Sequence, residues 1–350
     1  MKCGSLDCSV LLVTYSAPSS ILEPGRDDVA SGVRMQLTDQ QLNDYIRDVL
    51  FFGPEDKQKY QNQIDNLKTT LTNSIHDNSG LGVSKINQAG SWRKGTALRP
   101  FGTQDIDIDL VVYLNVEEAK RSDITGLHAL IVKLLRKAYP TKQAEDFTPS
   151  KKAVGIEFRT SGLLVDLVPV VPIPNSVGYV WQPEVGGGGT FRTSPEGQLE
   201  FIRSYKDADP RFTQVVRLAK RWRNYAELDA LSSFTIELIA AHLNRTRGTP
   251  ATIEMGLHRF LMYVAQFGLK ELITFPGAIG RTPVESTSVR IYDPTNNENN
   301  VTARMQENER VEVVNAAMQA VQAVNHAMSV ERKGDTVPLW QRVLGPQFAL

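Results

Sequence analysis

Residues 90–114 read GSWRKGTALRPFGTQDIDIDLVVYL, and the pattern inside them decides the fold. Asp105, Asp107 and Asp109 alternate with Ile106 and Ile108, after which the chain runs apolar through Leu110-Val111-Val112-Tyr113-Leu114. β-Branched and aromatic residues at this period predict a strand that carries all three carboxylates on one face. Carboxylates so crowded repel one another unless a cation sits among them, and hard oxygen donors suit Mg²⁺ or Mn²⁺. Ahead of the strand, Gly90-Ser91 predicts a tight turn whose backbone N–H groups and hydroxyl can hold an anion, with Lys94 close by. A phosphate grip feeding into a metal-binding strand is what nucleotidyl transfer needs. Each half alone has an ordinary reading, a common Gly-Ser turn or a solvated Asp-rich strand edge. Their order and closeness favour the functional one.

On the N-terminal side, Thr38 and Gln41 form a capping-box pattern ahead of Leu42, Tyr45, Ile46 and Val49, which predicts a first helix. Pro54 opens a long helix with Tyr60, Ile64, Leu67, Leu71 and Ile75 on one face. Residues 83–89 predict a short strand that delivers Gly90-Ser91. On the C-terminal side, Asp123 is placed as the cap of a helix carrying Ile124, Leu127, Ile131, Leu134 and Leu135. A hairpin follows, built from residues 153–158, a Thr160-Ser161-Gly162 turn and residues 163–170. Its second arm, LLVDLVPVVP, holds the lone carboxylate Asp166 in an otherwise apolar strand. Burying an unpaired charge costs several kcal/mol, so Asp166 needs either a basic partner or a share in a metal with Asp107 and Asp109.

Residues 172–197 are rich in Pro and Gly, with four consecutive glycines at 186–189. No Gly-Lys-Ser/Thr follows, which excludes a P-loop. This stretch is expected to be a flexible connector or lid over the cleft, whose Tyr179 and Trp181 could touch a base but fit surface-loop packing better. From residue 197 the pattern is helical. Residues 210–223 place Phe212, Val215, Val216, Ala219 and Trp222 inward, with Arg217, Lys220, Arg221 and Arg223 around them in the manner of a solvated basic face. The next helix opens with Leu231-Ser232-Ser233-Phe234, where serine is ordinarily a cap. A further helix is expected at 251–267 and a strand at 288–292. A long final helix to about 330 is expected to turn Val311, Val314, Met318, Val321 and Met328 inward.

A chain of 350 residues can bury a large core. Its 39 basic and 39 acidic residues cancel, which removes the general electrostatic drive toward long nucleic acid. Cys3 and Cys8, the two cysteines, both lie in the first ten residues, so there is no disulfide framework and no cysteine-rich zinc site, as suits a reducing cytoplasm. The five histidines are scattered without ligand spacing. No apolar run is long enough to span a bilayer, and residues 10–13 are too short a core for a secretory signal. Residues 1–34 lack periodicity and are expected to be a disordered leader. The remaining organisation is expected to be a catalytic lobe at 35–196, a helical lobe at 197–330 and a tail at 331–350 containing Trp340 and Leu344.

GS…GT…DIDLVVYL resembles the signature of the DNA polymerase β-like nucleotidyltransferase superfamily. More narrowly, GSWRKGTALR followed by DIDLVVYL is similar to 2′-5′-oligoadenylate synthases and to the bacterial cGAS/DncV-like nucleotidyltransferases of anti-phage (CBASS) signalling. DPTNNENNV at 293–301 resembles their Asp-Pro-x-x-x-x-Asn-Val closing segment, which extends the match over most of residues 37–330. The resemblance implies a two-lobed α/β fold: a mixed sheet in the N-terminal lobe, a helical C-terminal lobe, the long helix from Pro54 as a spine, and an active site in the cleft. It implies that Asp107, Asp109 and Asp166 are the catalytic, metal-binding acids, with two Mg²⁺ or Mn²⁺ ions per site. The gap from Ser91 to Asp107 is longer than is usual for the superfamily, and Asp105 would shorten it; register against the apolar run favours Asp107 and Asp109. Gly90 and Ser91 would grip the triphosphate. RLAKRW resembles the helix whose lysine, here Lys220, reaches the triphosphate. LSSFTIELIA resembles the element in which a serine, Ser233, contacts the triphosphate and an aromatic, Phe234, stacks on the base.

The function implied is metal-dependent synthesis of a cyclic di- or trinucleotide second messenger from nucleoside triphosphates, ATP among them. A regulatory protein partner and a downstream nucleotide-sensing effector go with it, and the setting is cytoplasmic. Two alternatives stand beside it. One is a linear 2′-5′-oligoadenylate synthase or other template-independent RNA nucleotidyltransferase, against which the neutral charge weighs. The other is a non-catalytic nucleotide-binding scaffold, disfavoured by retention of all three acids and of Gly90-Ser91.

Overall fold

The alternation in the Asp-rich stretch becomes a strand, β2 (Ile106–Asn115), that buries Ile106, Ile108 and Leu110 on one face and turns Asp107 and Asp109 to the other. The computed structural model describes residues 36–101, 106–116, 124–150, 152–185, 189–284 and 287–350. Asp105, Asp123, the expected leader and glycines 186–188 therefore lie outside the described residues. β2 pairs antiparallel with β1 (Gly82–Gln88) and parallel with β5 (Leu163–Pro172). Beyond β5 come β4 (Val154–Phe158) and β3 (Phe147–Pro149), in the order β1-β2-β5-β4-β3. The parallel register sets Asp109 directly opposite Asp166.

Two helices cover the apolar face of the sheet. α2 (Pro54–Ser79) begins with Pro54 in its first turn and stops at Gly80, whose φ of 68° few other residues tolerate. It packs Ile64, Leu67, Leu71 and Ile75 with Ile131, Leu134 and Leu135 of α4 (Leu127–Ala138) into one core beneath β2 and β5. α4 starts at Leu127 with Gly126 as its N-cap, later than the sequence pattern indicated.

Within residues 172–197, two paired strands stand where a connector was expected. β6 (Val180–Pro183) pairs with the end of β5, and β7 (Thr190–Thr193) pairs with β6. Val180 closes a small cluster with Val111, Tyr113 and Val170. Composition over the whole stretch hid this, because the strand formers Val180, Trp181 and Phe191 are few among its prolines and glycines.

A second core is helical. It gathers α1 (Asp39–Tyr45), which has the Thr38/Gln41 capping box, with α5 (Pro195–Ala208), α6 (Arg211–Tyr225), α7 (Ser233–Arg247), α8 (Ile253–Phe267) and α9 (Glu307–Ser329). The last segment, expected as a tail, carries α10 (Val337–Leu344) and packs Trp340, Val343, Leu344 and Phe348 into this core. The expected basic face of α6 is not solvated: Arg217, Lys220 and Arg221 are buried. α6 is enclosed by its neighbours, so its cations take oxygen partners instead of water. Arg217 donates to Gly95 O (2.6 Å), and Arg221 to Leu344 O (2.6 Å) and Gln347 Oε1 (2.7 Å). The inward face of α9 keeps Val321 and Met328 of the expected set but is otherwise built differently. Val313, Ala317, Ala320, Val324 and Ala327 are buried, while Val311 and Met318 are exposed. Alanines let this helix approach α8 closely, and a pattern of large apolar residues misses that.

DPTNNENNV forms a hairpin, β8 (Tyr292–Asp293) with β9 (Asn296–Asn300). Buried Asp293 accepts hydrogen bonds from Thr295 N (2.8 Å), Thr193 Oγ1 (3.1 Å) and Gln198 Nε2 (2.7 Å), tying the hairpin to β7 and α5. Among the described residues no helix is long and apolar enough to cross a membrane.

Candidate active site

The Gly-Ser turn opens a single helical turn, α3 (Gly90–Lys94). Ala89 N–H donates to Asp109 O (2.9 Å), pinning the turn to β2. Gly90 has φ 59°, and a Cβ built on it would lie 1.7 Å from Asp109 Oδ2. Glycine is thus required there twice, by the left-handed backbone and by a carboxylate resting on its Cα. Ser91 O accepts the N–H groups of Thr96 (2.9 Å) and Ala97 (3.1 Å), which closes the loop after α3.

Asp107 and Asp109 line a cleft of about 800 Å³ between the polar face of the sheet and helices α5 and α7. Gly90, Ser91, Ser233 and Phe234 line the same cleft. Asp166 stands one strand over, in register with Asp109, with its Oδ1 3.2 Å from where a Cβ on Gly155 would be. With Lys94, seven of the residues singled out in the sequence therefore line one cleft, and Asp166 adjoins it. Trp181 and Tyr179 do not contribute: Trp181 projects from β6, and Tyr179 donates its hydroxyl to Thr295 O (3.0 Å).

The carboxylates crowd one another. Asp107 opens to the cleft yet is surrounded by protein mass; burial first, then Asp109 and Asp166, push its carboxyl up to about 7. Burial and Asp109 push Asp166 up to about 6. Asp109 is also raised, by burial, while Lys94 and Lys220 pull it back. Among the described residues no group of three or more His, Cys, Asp or Glu side chains is already drawn together to hold a metal ion. The fit of a divalent ion rests on the all-oxygen donor set and on excess negative charge, and both suit a hard cation.

Lys220 stands apart from the cleft wall. It is 2% exposed, with Nζ 3.0 Å from Glu237 Oε1 and 2.9 Å from Thr96 Oγ1, and it lines a smaller recess of about 160 Å³ shared with Ser91, Asp107 and Ser233. Its partner Glu237 escaped the sequence reading. Glu237 is 1% exposed and also accepts from Lys94 Nζ (2.8 Å) and Thr96 Oγ1 (2.7 Å). Burial opposes its charge, but the Lys220 and Lys94 ammonium groups overcome that and hold its carboxyl down at about 2. The signal was available: a lone acid in the apolar run TIELIA is the same mark that singled out Asp166. Ser232 supplies the α7 N-cap, accepting from Thr235 N (3.1 Å), which leaves Ser233 Oγ on the cleft side near Arg223. Phe234 is partly buried against the helical core and presents its ring 4.3 Å from Lys94 Nζ.

The model of the Second Messenger Oligonucleotide or Dinucleotide Synthetase domain (SMODS) matches residues 35–198. The CBASS oligonucleotide cyclase CdnC of Escherichia coli (strain KTE188) is 38% identical over 314 residues, spanning 90% of this chain and 98% of the relative. The chain belongs to the CBASS oligonucleotide cyclases. These cyclases are nucleotidyltransferases of the cGAS/DncV-like kind. A second relative, the cyclic AMP-AMP-AMP synthase of E. coli (strain MS 115-1), is 33% identical over 299 residues, 83% of this chain and 91% of its own. The solved structure of E. coli MS115-1 CdnC with ATP is similar with a TM-score of 0.75 at 30% identity, covering 90% of this chain and 100% of that one. The CdnC:HORMA-deltaN complex from the same strain gives 0.74, with 90% and 99% covered.

Two outcomes follow for this cyclase. Gly90→Ala forces a methyl into the Asp109 carboxylate at a left-handed φ, so nucleotide turnover should be lost while the sheet remains folded by circular dichroism. The second concerns pH. Carboxyls whose folded pKa lies above the unfolded value near 4 bind protons more tightly when folded, so stability falls as pH rises. The slope that these acids contribute to melting temperature in chelator should therefore be downward between about pH 4 and pH 7 and flat above. Asp107→Asn should flatten that slope.

Proposed function

We propose that Asp107, Asp109 and Asp166 hold divalent ions, two Mg²⁺ or Mn²⁺ per site, and that the cleft joins nucleoside triphosphates into a cyclic di- or trinucleotide. The observation that carries this reading is the register of β2 and β5, which sets Asp109 opposite Asp166 beside Asp107 and the Gly90-Ser91 turn. Nucleotidyltransferases of this family generally use divalent ions. When bound, such ions polarise the α-phosphate and make an acceptor ribose hydroxyl more acidic. The backbone N–H groups of α3 and the hydroxyls of Ser91 and Ser233 take the triphosphate oxygens, and Phe234 offers a face to the base. The ribose oxygen forms a bond to the α-phosphorus and its proton passes to water, while the bond from that phosphorus to the bridging oxygen of the β-phosphate breaks and pyrophosphate leaves. Positioning and charge neutralisation supply most of such catalysis, so no histidine base is required.

ATP is the substrate favoured by likeness to the cyclic AMP-AMP-AMP synthase and to the ATP-bound CdnC, with cyclic triadenylate as the product. A HORMA-domain protein is the regulatory partner that the CdnC complex supports. The cytoplasm, with its nucleotide pool, is the setting.

Incubation with each labelled nucleotide and Mg²⁺ or Mn²⁺, alone and with a HORMA-domain partner, should yield a phosphatase-resistant product that chelator prevents. Asp107→Asn, Asp109→Asn and Asp166→Asn should each abolish it; near-normal turnover by the Asp109 variant overturns the mechanism. A phosphatase-sensitive ladder would make the protein a linear synthase.

Phe234→Ala should weaken nucleotide binding by about 1–3 kcal/mol, with Phe234→Tyr nearly neutral. A fall in melting temperature with unchanged affinity would instead assign Phe234 to the helical core.

A further inference from the structure

We infer that Glu237 is a positioning residue for the nucleotide-binding turn: its carboxylate gathers Lys94, Thr96 and Lys220 and thereby sets where Ser91 stands relative to Ser233 and Phe234. The inference rests on the reading of the cleft given above. Glu237 follows Ser233 by four residues and Phe234 by three in α7, so all three side chains lie on one face of that helix. All three line the cleft. Oε2 accepts from Lys94, while Oε1 accepts from Thr96 and Lys220, so both oxygens are engaged. From Thr96 the chain of contacts reaches Ser91 in one step, through Thr96 N–H to Ser91 O (2.9 Å). Lys94, held by the same carboxylate, carries the ammonium that lies over the Phe234 ring.

The cluster also joins the two cores. Trp92 and Ala97, which flank Lys94 and Thr96, belong to the sheet-side core, whereas Leu238 and Ile239, next to Glu237, belong to the helical one. A buried polar network with its members satisfied rigidifies what it connects. Here it connects the proposed phosphate turn to the helix that bears the proposed base platform. Hydrophobic packing alone is non-directional and would not fix that spacing.

Three variants separate positioning from simple support of the fold. Glu237→Gln keeps the shape but leaves two buried ammonium groups without their counter-charge. Glu237→Asp keeps the charge and withdraws the acceptors by one bond length. Thr96→Val keeps every charge and cuts the hydroxyl link. Each is assayed well below its own melting temperature for kcat, KM and affinity for a non-hydrolysable ATP analogue with Mg²⁺. Positioning predicts that Glu237→Asp recovers most of the melting temperature lost by Glu237→Gln yet stays impaired in kcat by about 10²-fold, the effect of a misplacement near 1 Å. Analogue affinity should weaken in both variants, and Thr96→Val should lose turnover with a smaller melting shift. If the folded Glu237→Asp and Thr96→Val proteins match wild type in kcat, KM and affinity, Glu237 serves the fold alone and the inference fails. The wild type and Asp109→Asn, run alongside, report on the cleft reading separately. Absence of product from wild type, or turnover by Asp109→Asn, overturns that reading, while analogue affinity still decides the role of Glu237.

Discussion

The parallel pairing of β2 with β5 is the constraint from which the site follows. Along both strands one face must be buried, and Ile106, Ile108 and Leu110 on β2 and Leu163, Val165 and Leu167 on β5 fill the core beneath α2 and α4. Six such side chains contribute about 9–18 kcal/mol at the usual 1.5–3 kcal/mol each. A slip of one residue would turn every one of them to the wrong face, so the register is strongly specified. Asp109 and Asp166 are carried along to the opposite face and left as neighbours. Two like charges about 5 Å apart repel by about 3 kcal/mol at an effective dielectric of 20, well below what the apolar face supplies. The core forces the acids together, and the raised carboxyls of Asp107 and Asp166 register the strain.

What could be read from the sequence divides along the same line. The Asp-Ile alternation, the stripe of α2 and the β4–β5 hairpin are local periodicities whose partners need not be known, and they appear as expected. Features set by tertiary partners were less legible. The basic run of α6 looked solvated because nothing local tells that α7, α8 and α10 enclose it. The alanine face of α9 was passed over for Val311 and Met318, because close approach to α8 favours small residues over large ones. Trp340 and Phe348 looked like a tail because their binding partners, Tyr45 among them, lie some 300 residues upstream. Glu237 was readable in principle, since an isolated acid in an apolar run needs a partner; the partners, Lys94 and Lys220, came from two other elements.

Sterics and charge act on the same atoms at the acids. The Asp109 carboxylate fills the space a side chain would occupy on Gly90, and Asp166 sits against Gly155 on the next strand. Two glycines thus admit two carboxylates into a crowded sheet face, one through a left-handed turn and one through a strand position where any Cβ would also meet Thr148 Oγ1 at 2.5 Å. The neighbouring positive charge is distributed to match. Lys94 and Lys220 share Glu237, which leaves one positive charge of that trio in excess, and it falls on the side of Asp109. Asp109 is accordingly the acid whose burial the protein itself offsets. Asp107 and Asp166 gain no comparable relief from the lysines, since only burial and other acids act on them. In the proposed two-ion reading, a cation in the cleft would gain most at the two acids flanking Asp109, with Asp109, set against Gly90, as the fixed point between them.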